Sequence, residues 1–210
     1  MNLSQMRGSV RRDLRDEDAQ HYRWSDDELD RHIAHAVKDL SEAIPWEQRQ
    51  EAATTEGSRD IDISSLSDCI RIMAVEYPLS NFPRRYQRFS LWADTITLLG
   101  EEMPDGSNAA IYYDKLHSLD SQGSTIPSHL EDLIATAAEG YAAVEWAIFA
   151  TNRVNAGGSM TPDAFLEWGK NKLRFFRQEL RRLGHRNRLR LNRLYKPGSG
   201  IASRAGDYGP

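Results

Sequence analysis

The residues whose types could do chemistry are few, and their spacing does not gather them. His32, His35 and Asp39 lie three and four positions apart in a helical stretch. A helical metal site draws two ligands from i and i+4 and needs a third convergent group, and none is marked here. They read as helix-surface histidines. His117 and His129 flank a segment carrying Asp120, Ser121 and Ser124. That is the composition of a Ser/His/Asp set, without the strand–turn–helix context of a nucleophile elbow. Cys69 is the single cysteine and falls in a strand-like run, where it reads as a small buried hydrophobe and not as a nucleophile. One cysteine excludes an intrachain disulfide framework and a multi-cysteine zinc site. Neither a Walker A motif nor G-x-G-x-x-G occurs, against a P-loop or a dinucleotide site. Glu139 and Glu145, six apart on a helix, do not share a face. The expectation is a protein with no catalytic residues, no cofactor and no metal.

Charge is the sharper signal. Residues 1 to 169 hold 15 Lys and Arg against 29 Asp and Glu. Residues 170 to 196 reverse this, with 11 Lys and Arg against Glu179 alone. A split of this size implies contact with a polyanion or packing between like subunits, and the plainer alternative is a solvated basic face. The basic residues read as circling their helix instead of forming one stripe. No helix-turn-helix or zinc signature precedes them, which argues against sequence-specific DNA reading. Arg181, Arg182, Arg186, Arg188, Arg190 and Arg193 are the candidates for contact with a DNA channel or an acidic partner.

The elements that must carry these residues are legible in outline. Leu3, Met6, Val10 and Leu14 share one helical face. Ser25 and Glu28 form a capping box, Trp24 and Leu29 a hydrophobic staple, and Leu29, Ile33, Val37, Leu40 and Ile44 a buried stripe that Pro45 ends. From 57 to 120 the pattern changes to short segments at Asp60–Ile63, Cys69–Tyr77, Tyr86–Trp92, Thr95–Leu99 and Ala109–Leu116. Pro, Gly, Asn and Asp separate them, as in an antiparallel sheet or small sandwich. Ser128 and Glu131 repeat the capping-box pattern before an Ala-rich helix to about Arg153, whose stripe reads Leu130, Leu133, Ile134, Ala137, Tyr141, Val144 and Ile148. The small side chains permit close approach by neighbouring helices. Thr161 caps and Pro162 opens a last helix, with Phe165, Gly169, Leu173, Phe176, Leu180 and Leu183 as its stripe. Residues 195 to 210 are half Gly, Ser and Pro and cannot build a core, yet space out Tyr195, Ile201 and Tyr208 as anchors.

The expected fold class is α+β: an antiparallel helical bundle from 1–56 and 121–194, an inserted antiparallel β unit at 57–120, and an extended C-terminal arm at 195–210. The hydrophobic set is 40% of 210 residues, enough for a real core. No leader pattern is visible in residues 1 to 20, and no uninterrupted apolar run reaches the roughly 20 residues of a membrane span. A soluble protein from a reducing compartment, without membrane partners, is expected.

Four stretches carry a family resemblance: Trp24-Ser25-Asp26-Asp27-Glu28-Leu29, Arg71 to Pro78, Ser124 to Asp132, and Thr161-Pro162-Asp163-Ala164-Phe165. Over roughly residues 20 to 185 the chain resembles the head-to-tail adaptor proteins of tailed bacteriophages. That resemblance implies a virion neck protein, assembled in the host cytoplasm, forming a ring of about twelve copies beneath the portal and continuing the DNA channel. Its partners would be the portal protein, further copies of itself, a downstream neck or tail protein, and packaged double-stranded DNA held non-specifically. The C-terminal segment would reach into the portal through Tyr195, Lys196, Pro197, Ile201, Arg204 and Tyr208. A basic-tailed nucleic-acid-binding protein, or another neck protein such as a stopper, is the alternative.

Overall fold

The computed structural model describes residues 1–150 and 161–195, with side chains described up to Asn187. The chain divides into two compact units. Among the described residues, one comprises 1–46, 116–150 and 161–185, and the other 47–115 and 186–195.

The first unit is a helical bundle. Helix α1 (Leu3–Leu14) starts at Asn2, whose side chain accepts from Gln5 N while the Gln5 side chain accepts from Asn2 N, both at 2.9 Å. Helix α2 (Asp26–Ala43) opens with the capping box expected of Ser25 and Glu28. Leu29, Ile33, Val37 and Leu40 are buried, with Met6, Val10, Leu14 and Trp24, in one cluster. Helix α3 (Glu131–Ala150) runs through the middle of that cluster.

Three details of α3 differ from the sequence reading. Ser128 makes no capping hydrogen bond. It lies inside a 3-10 turn, Ser128–Leu130, that begins at Pro127, so its backbone is already helical where a cap must be extended. The buried face is the small-residue face, Ala135, Ala137, Ala138, Ala142, Ala143 and Ala147, whereas Ile148 is exposed. Within Ser128–Ala150 an 18-residue stretch also has the mean hydropathy (1.2) of a membrane span, but 56% of that stretch is buried inside the protein, as a bundle's central helix requires.

Helix α4 (Pro162–Tyr195) meets α3 at two glycines. A Cβ on Gly169 would lie 2.9 Å from Gly140 O and 3.1 Å from Ala143 Cβ, and one on Gly140 would lie 2.9 Å from Leu173 Cγ. The backbones touch, and Phe176 fills the space beyond the crossing with no exposed surface.

The second unit is a sandwich of two small sheets. One has the order β1 (Trp46–Ala53), β7 (Asn108–Lys115), β3 (Cys69–Glu76), β4 (Tyr86–Gln87). The other has β2 (Asp60–Asp62), β6 (Thr95–Leu98), β5 (Phe89–Trp92). β3 and β7 pair antiparallel with Val75 opposite Ile111, and β5 and β6 with Leu91 opposite Ile96. Ile61, Ile96 and Leu98 from one sheet close on Ile72, Val75, Ala109 and Ile111 from the other. Strand β1 begins well before residue 57, where the sequence reading opened the β unit. Its WEQRQEAA composition has low β propensity, and only the alternation of half-buried and exposed positions reveals it once β7 lies alongside.

Candidate functional site on the last helix

Helix α4 is positioned by its cap and its glycine crossing. Thr161 Oγ1 accepts from Ala164 N at 3.2 Å, and Pro162 occupies the first helical position. With Gly169, Leu173 and Phe176 turned inward, the outer surface carries mostly charged and polar side chains beside the exposed Phe175. Lys170, Arg174, Arg177 and Arg181 follow at steps of four, three and four, and together with Leu173 and Gln178 they line one groove of about 480 Å3. Four of the basic residues therefore share one row, which the sequence reading did not separate from the cations on the other faces of the helix. The signal was in the spacing, which keeps these four on one helical face. Arg181, Arg182 and Arg186 are exposed as expected. Arg182 pairs with Glu179 through Nε and Nη2 at 2.9 and 2.6 Å, and Arg174 donates to Asn171 Oδ1 at 2.7 Å.

Arg188, Arg190 and Arg193 continue on the helix backbone, and their side chains lie outside the described residues. Tyr195 closes α4 instead of opening the arm. No helix breaker precedes Pro197, which disfavours helix at the residue before it. Lys196, Pro197, Ile201, Arg204 and Tyr208 lie outside the described residues.

Lys172 is the exception among the cations, because it turns inward. Its Nζ lies 2.9 Å from Glu139 Oε2, an ion pair off hydrogen-bonding alignment, and 5.1 Å from the centre of the Trp168 ring. Glu139 is 1% exposed, and burial, opposed by Lys172 and reinforced by Asp13, pushes its carboxyl up to about 7. Sequence reasoning missed this group, since nothing local distinguishes it from Glu145.

The histidines and the cysteine take structural places. His32 is buried and not on the surface as expected. It sits beside Ile33 at the margin of the apolar stripe, with Nε2 2.7 Å from Glu145 Oε2, and burial lowers its pKa. His35 stacks on Tyr141 at 4.3 Å, and Tyr141 donates to Asp39. The His117 ring lies 3.0 Å from both Thr125 Oγ1 and Ile44 O, while its backbone N–H donates to Ser41 Oγ. Asp120 and Ser124 accept from backbone N–H groups of their own loop, and His129 is exposed. Cys69 is half-buried, where a fully buried side chain was expected, and burial raises its thiol pKa. Among the described residues no three His, Cys, Asp or Glu side chains gather as metal ligands.

A second buried ionic group ties α1 to α2. Arg11 donates to Asp16 Oδ2 at 2.6 Å, Trp24 O at 3.0 Å and Asp26 Oδ1 at 2.8 Å, with its guanidinium 3.6 Å from the centre of the Tyr22 ring. Arg11 and Asp16 are paired away from water, while Asp26 holds the same guanidinium from the exposed side, so three acceptors already engage it. The arrangement offers a rigid support for an exposed basic row.

Residues 1–183 match the family model described as SU10 adaptor protein. No curated protein matches the chain.

Proposed function

The chain belongs to the SU10 adaptor protein family, and on that premise we propose how its parts divide the task of joining a phage head to its tail. The protein is a structural, non-catalytic head-to-tail adaptor of the virion neck that associates with itself and with portal and tail components. In our reading it forms a twelve-copy ring beneath the portal, assembled in the host cytoplasm, and the ring continues the DNA channel.

The exposed row of Lys170, Arg174, Arg177 and Arg181 carries this reading. A ring multiplies that row around its axis, and Arg182, Arg186, Arg188, Arg190 and Arg193 add positive charge around the same helix. The row meets packaged DNA non-specifically or an acidic portal surface, through contacts that weaken steeply with salt. Residues 195–210 then act as the portal anchor through Tyr195, Lys196, Pro197, Ile201, Arg204 and Tyr208. Ordering so glycine-rich a segment is costly for one copy, but many arms presented together bind with high effective concentration.

Two variants test the division. Charge reversal at Arg181, Arg182 and Arg186 should leave helix content intact and impair DNA retention by assembled heads. Particles of normal DNA content would reduce the row to a solvated face. Removal of 196–210 should give a folded protein that no longer co-sediments with portal-bearing heads. Co-sedimentation at the parent level would move the anchor elsewhere.

A further inference from the structure

Besides the basic row, the bundle carries a groove of opposite character. Leu3, Ile33, Ala34, Val37, Leu116 and Leu119 line a volume of about 410 Å3 formed by the start of α1, the middle of α2 and the residues that follow β7. Leu116 is exposed and Leu3 and Leu119 are half-buried, so water meets apolar side chains there. Three charges stand at the rim. Asp30 is held by Arg7 through two hydrogen bonds of 2.8 and 2.6 Å, and Asp120 accepts from Gln122 N and Gly123 N. Lys38 is exposed and has no acidic partner among the described residues. It lies two turns of α2, or about 12 Å, beyond Asp30. The groove thus offers an apolar floor with an unpaired cation at one end.

The β unit bears the complementary shape. β5 turns into β6 through Ala93 and Asp94 alone, with Trp92 opposite Thr95. Ala93 takes the left-handed backbone at φ 48°, and Ile63 N donates to Asp94 O at 2.9 Å, which ties the turn to the end of β2. On this fixed tip Trp92 is 86% exposed. Leu91 points to the opposite face of β5 and plays no part. Asp94, two residues on from Trp92, is exposed and has no cationic partner among the described residues. Tryptophan is enriched among the residues that dominate interfaces, and its burial removes roughly 150–250 Å2 from water.

We propose that the β5–β6 tip of one copy seats in the bundle groove of the next, with Trp92 on the apolar floor and Asp94 paired to Lys38. This rests on the self-association of the adaptor reading and names the surfaces that perform it. Size and charge both favour the match, since the groove has room for an indole ring and each side brings one unpaired charge of opposite sign. The indole supplies most of the affinity, while the exposed ion pair fixes its orientation. Tip and groove are different surfaces, so the contact is head-to-tail, each copy giving its tip to one neighbour and its groove to the other. A contact of this kind makes a ring when its rotation closes.

Cross-linking between two singly substituted chains tests it. In a Cys69→Ser background, Asp94→Cys protein is mixed with Lys38→Cys protein on portal-bearing heads and treated with a short bis-maleimide. A covalent dimer should form in the mixture and in neither protein alone. In parallel, Trp92→Ala, which removes an exposed side chain and should leave the fold intact, should weaken self-association on heads about tenfold or more. Asp94→Lys should weaken it about fivefold, and Lys38→Glu in the same chain should restore it. Assembly on heads without a dimer in the mixture, or at parent strength by Trp92→Ala, overturns the seating and leaves the adaptor reading standing. A cross-link from Asp94→Cys to a portal or tail polypeptide overturns it in favour of that partner. Failure of the parent chain to self-associate on heads overturns both.

Discussion

The bundle and the β sandwich build their interiors in opposite ways. In the bundle, α3 lays an alanine face against its neighbours and two glycines let α3 and α4 touch backbone to backbone. In the sandwich, branched and aromatic side chains (Ile61, Ile72, Val75, Ile96, Ile111, Tyr113) interdigitate between sheets that stay apart. The α3–α4 crossing has no room for an added atom, whereas the sandwich interior depends on large side chains to fill it. Ion pairs follow the same division. Arg11 and Asp16 are both sealed in the bundle, at 8% and 6% side-chain exposure, whereas buried Asp114 in the sandwich is reached by an Arg71 that is 52% exposed.

The largest expected effect comes from removing atoms in the sandwich. Ile111 is fully buried opposite Val75, so Ile111→Ala should destabilise by about 2–5 kcal/mol, read from denaturant unfolding. A loss below about 1 kcal/mol would mean that the sheets collapse onto the gap and that the contrast in packing is false. Adding one methyl to the bundle comes next. Gly169→Ala places a carbon 2.9 Å from a backbone oxygen and should cost about 1–3 kcal/mol. Gly8 in α1 has nothing within 4 Å of the same added carbon. Gly8→Ala should stabilise by about 0.5–1 kcal/mol through helix propensity. Equal signs for the two glycines would remove close approach as the reason for Gly169.

The elements with strong local signals were legible in the sequence. Ser25, Glu28 and the acidic first turn announce α2, and Thr161-Pro162 announces α4. Strand β1 was not legible, because glutamines and glutamates form a strand only when β7 supplies the partner. The basic row was present as a four-three-four spacing but was obscured by further cations on other faces of the same helix. Glu139 and the Gly140–Gly169 crossing depend on residues about 30 positions away, and no local pattern records such a contact.

Glu139 sharpens the contrast a further step, since a tightly closed interior has also enclosed a carboxyl. Its folded-state pKa, about 7, lies above the 4.5 of an ordinary glutamate. The folded protein therefore holds the proton more tightly. The contribution to stability is fully present below about pH 4.5 and is lost as pH rises through 7. Glu139→Gln should match the parent near pH 5 and exceed it at pH 8 by on the order of 1–2 kcal/mol. Thermal unfolding of both proteins at the two pH values measures this. A difference that does not change with pH would show that Lys172 keeps the carboxylate ionised throughout.

The smallest effect distinguishes two serines that the sequence presents alike. Both Ser25 and Ser128 stand three residues before a glutamate at the start of a helix. At Ser25 the backbone is extended, Oγ accepts from Glu28 N at 3.3 Å, and Glu28 Oε2 accepts from Ser25 N at 2.7 Å. At Ser128 the chain has already turned, because Leu130 N donates to Pro127 O at 2.8 Å, and the serine side chain makes no capping bond. The buried Leu130 holds that turn in place, so tertiary packing starts the second helix where a hydroxyl starts the first. Ser25→Ala should therefore cost about 1 kcal/mol, the ordinary value of an N-cap, and Ser128→Ala less than about 0.5 kcal/mol. The comparison needs only the two midpoints in denaturant at equal slope. If Ser128→Ala cost as much as Ser25→Ala, its hydroxyl would be capping α3 after all, and the start of that helix would be local in origin.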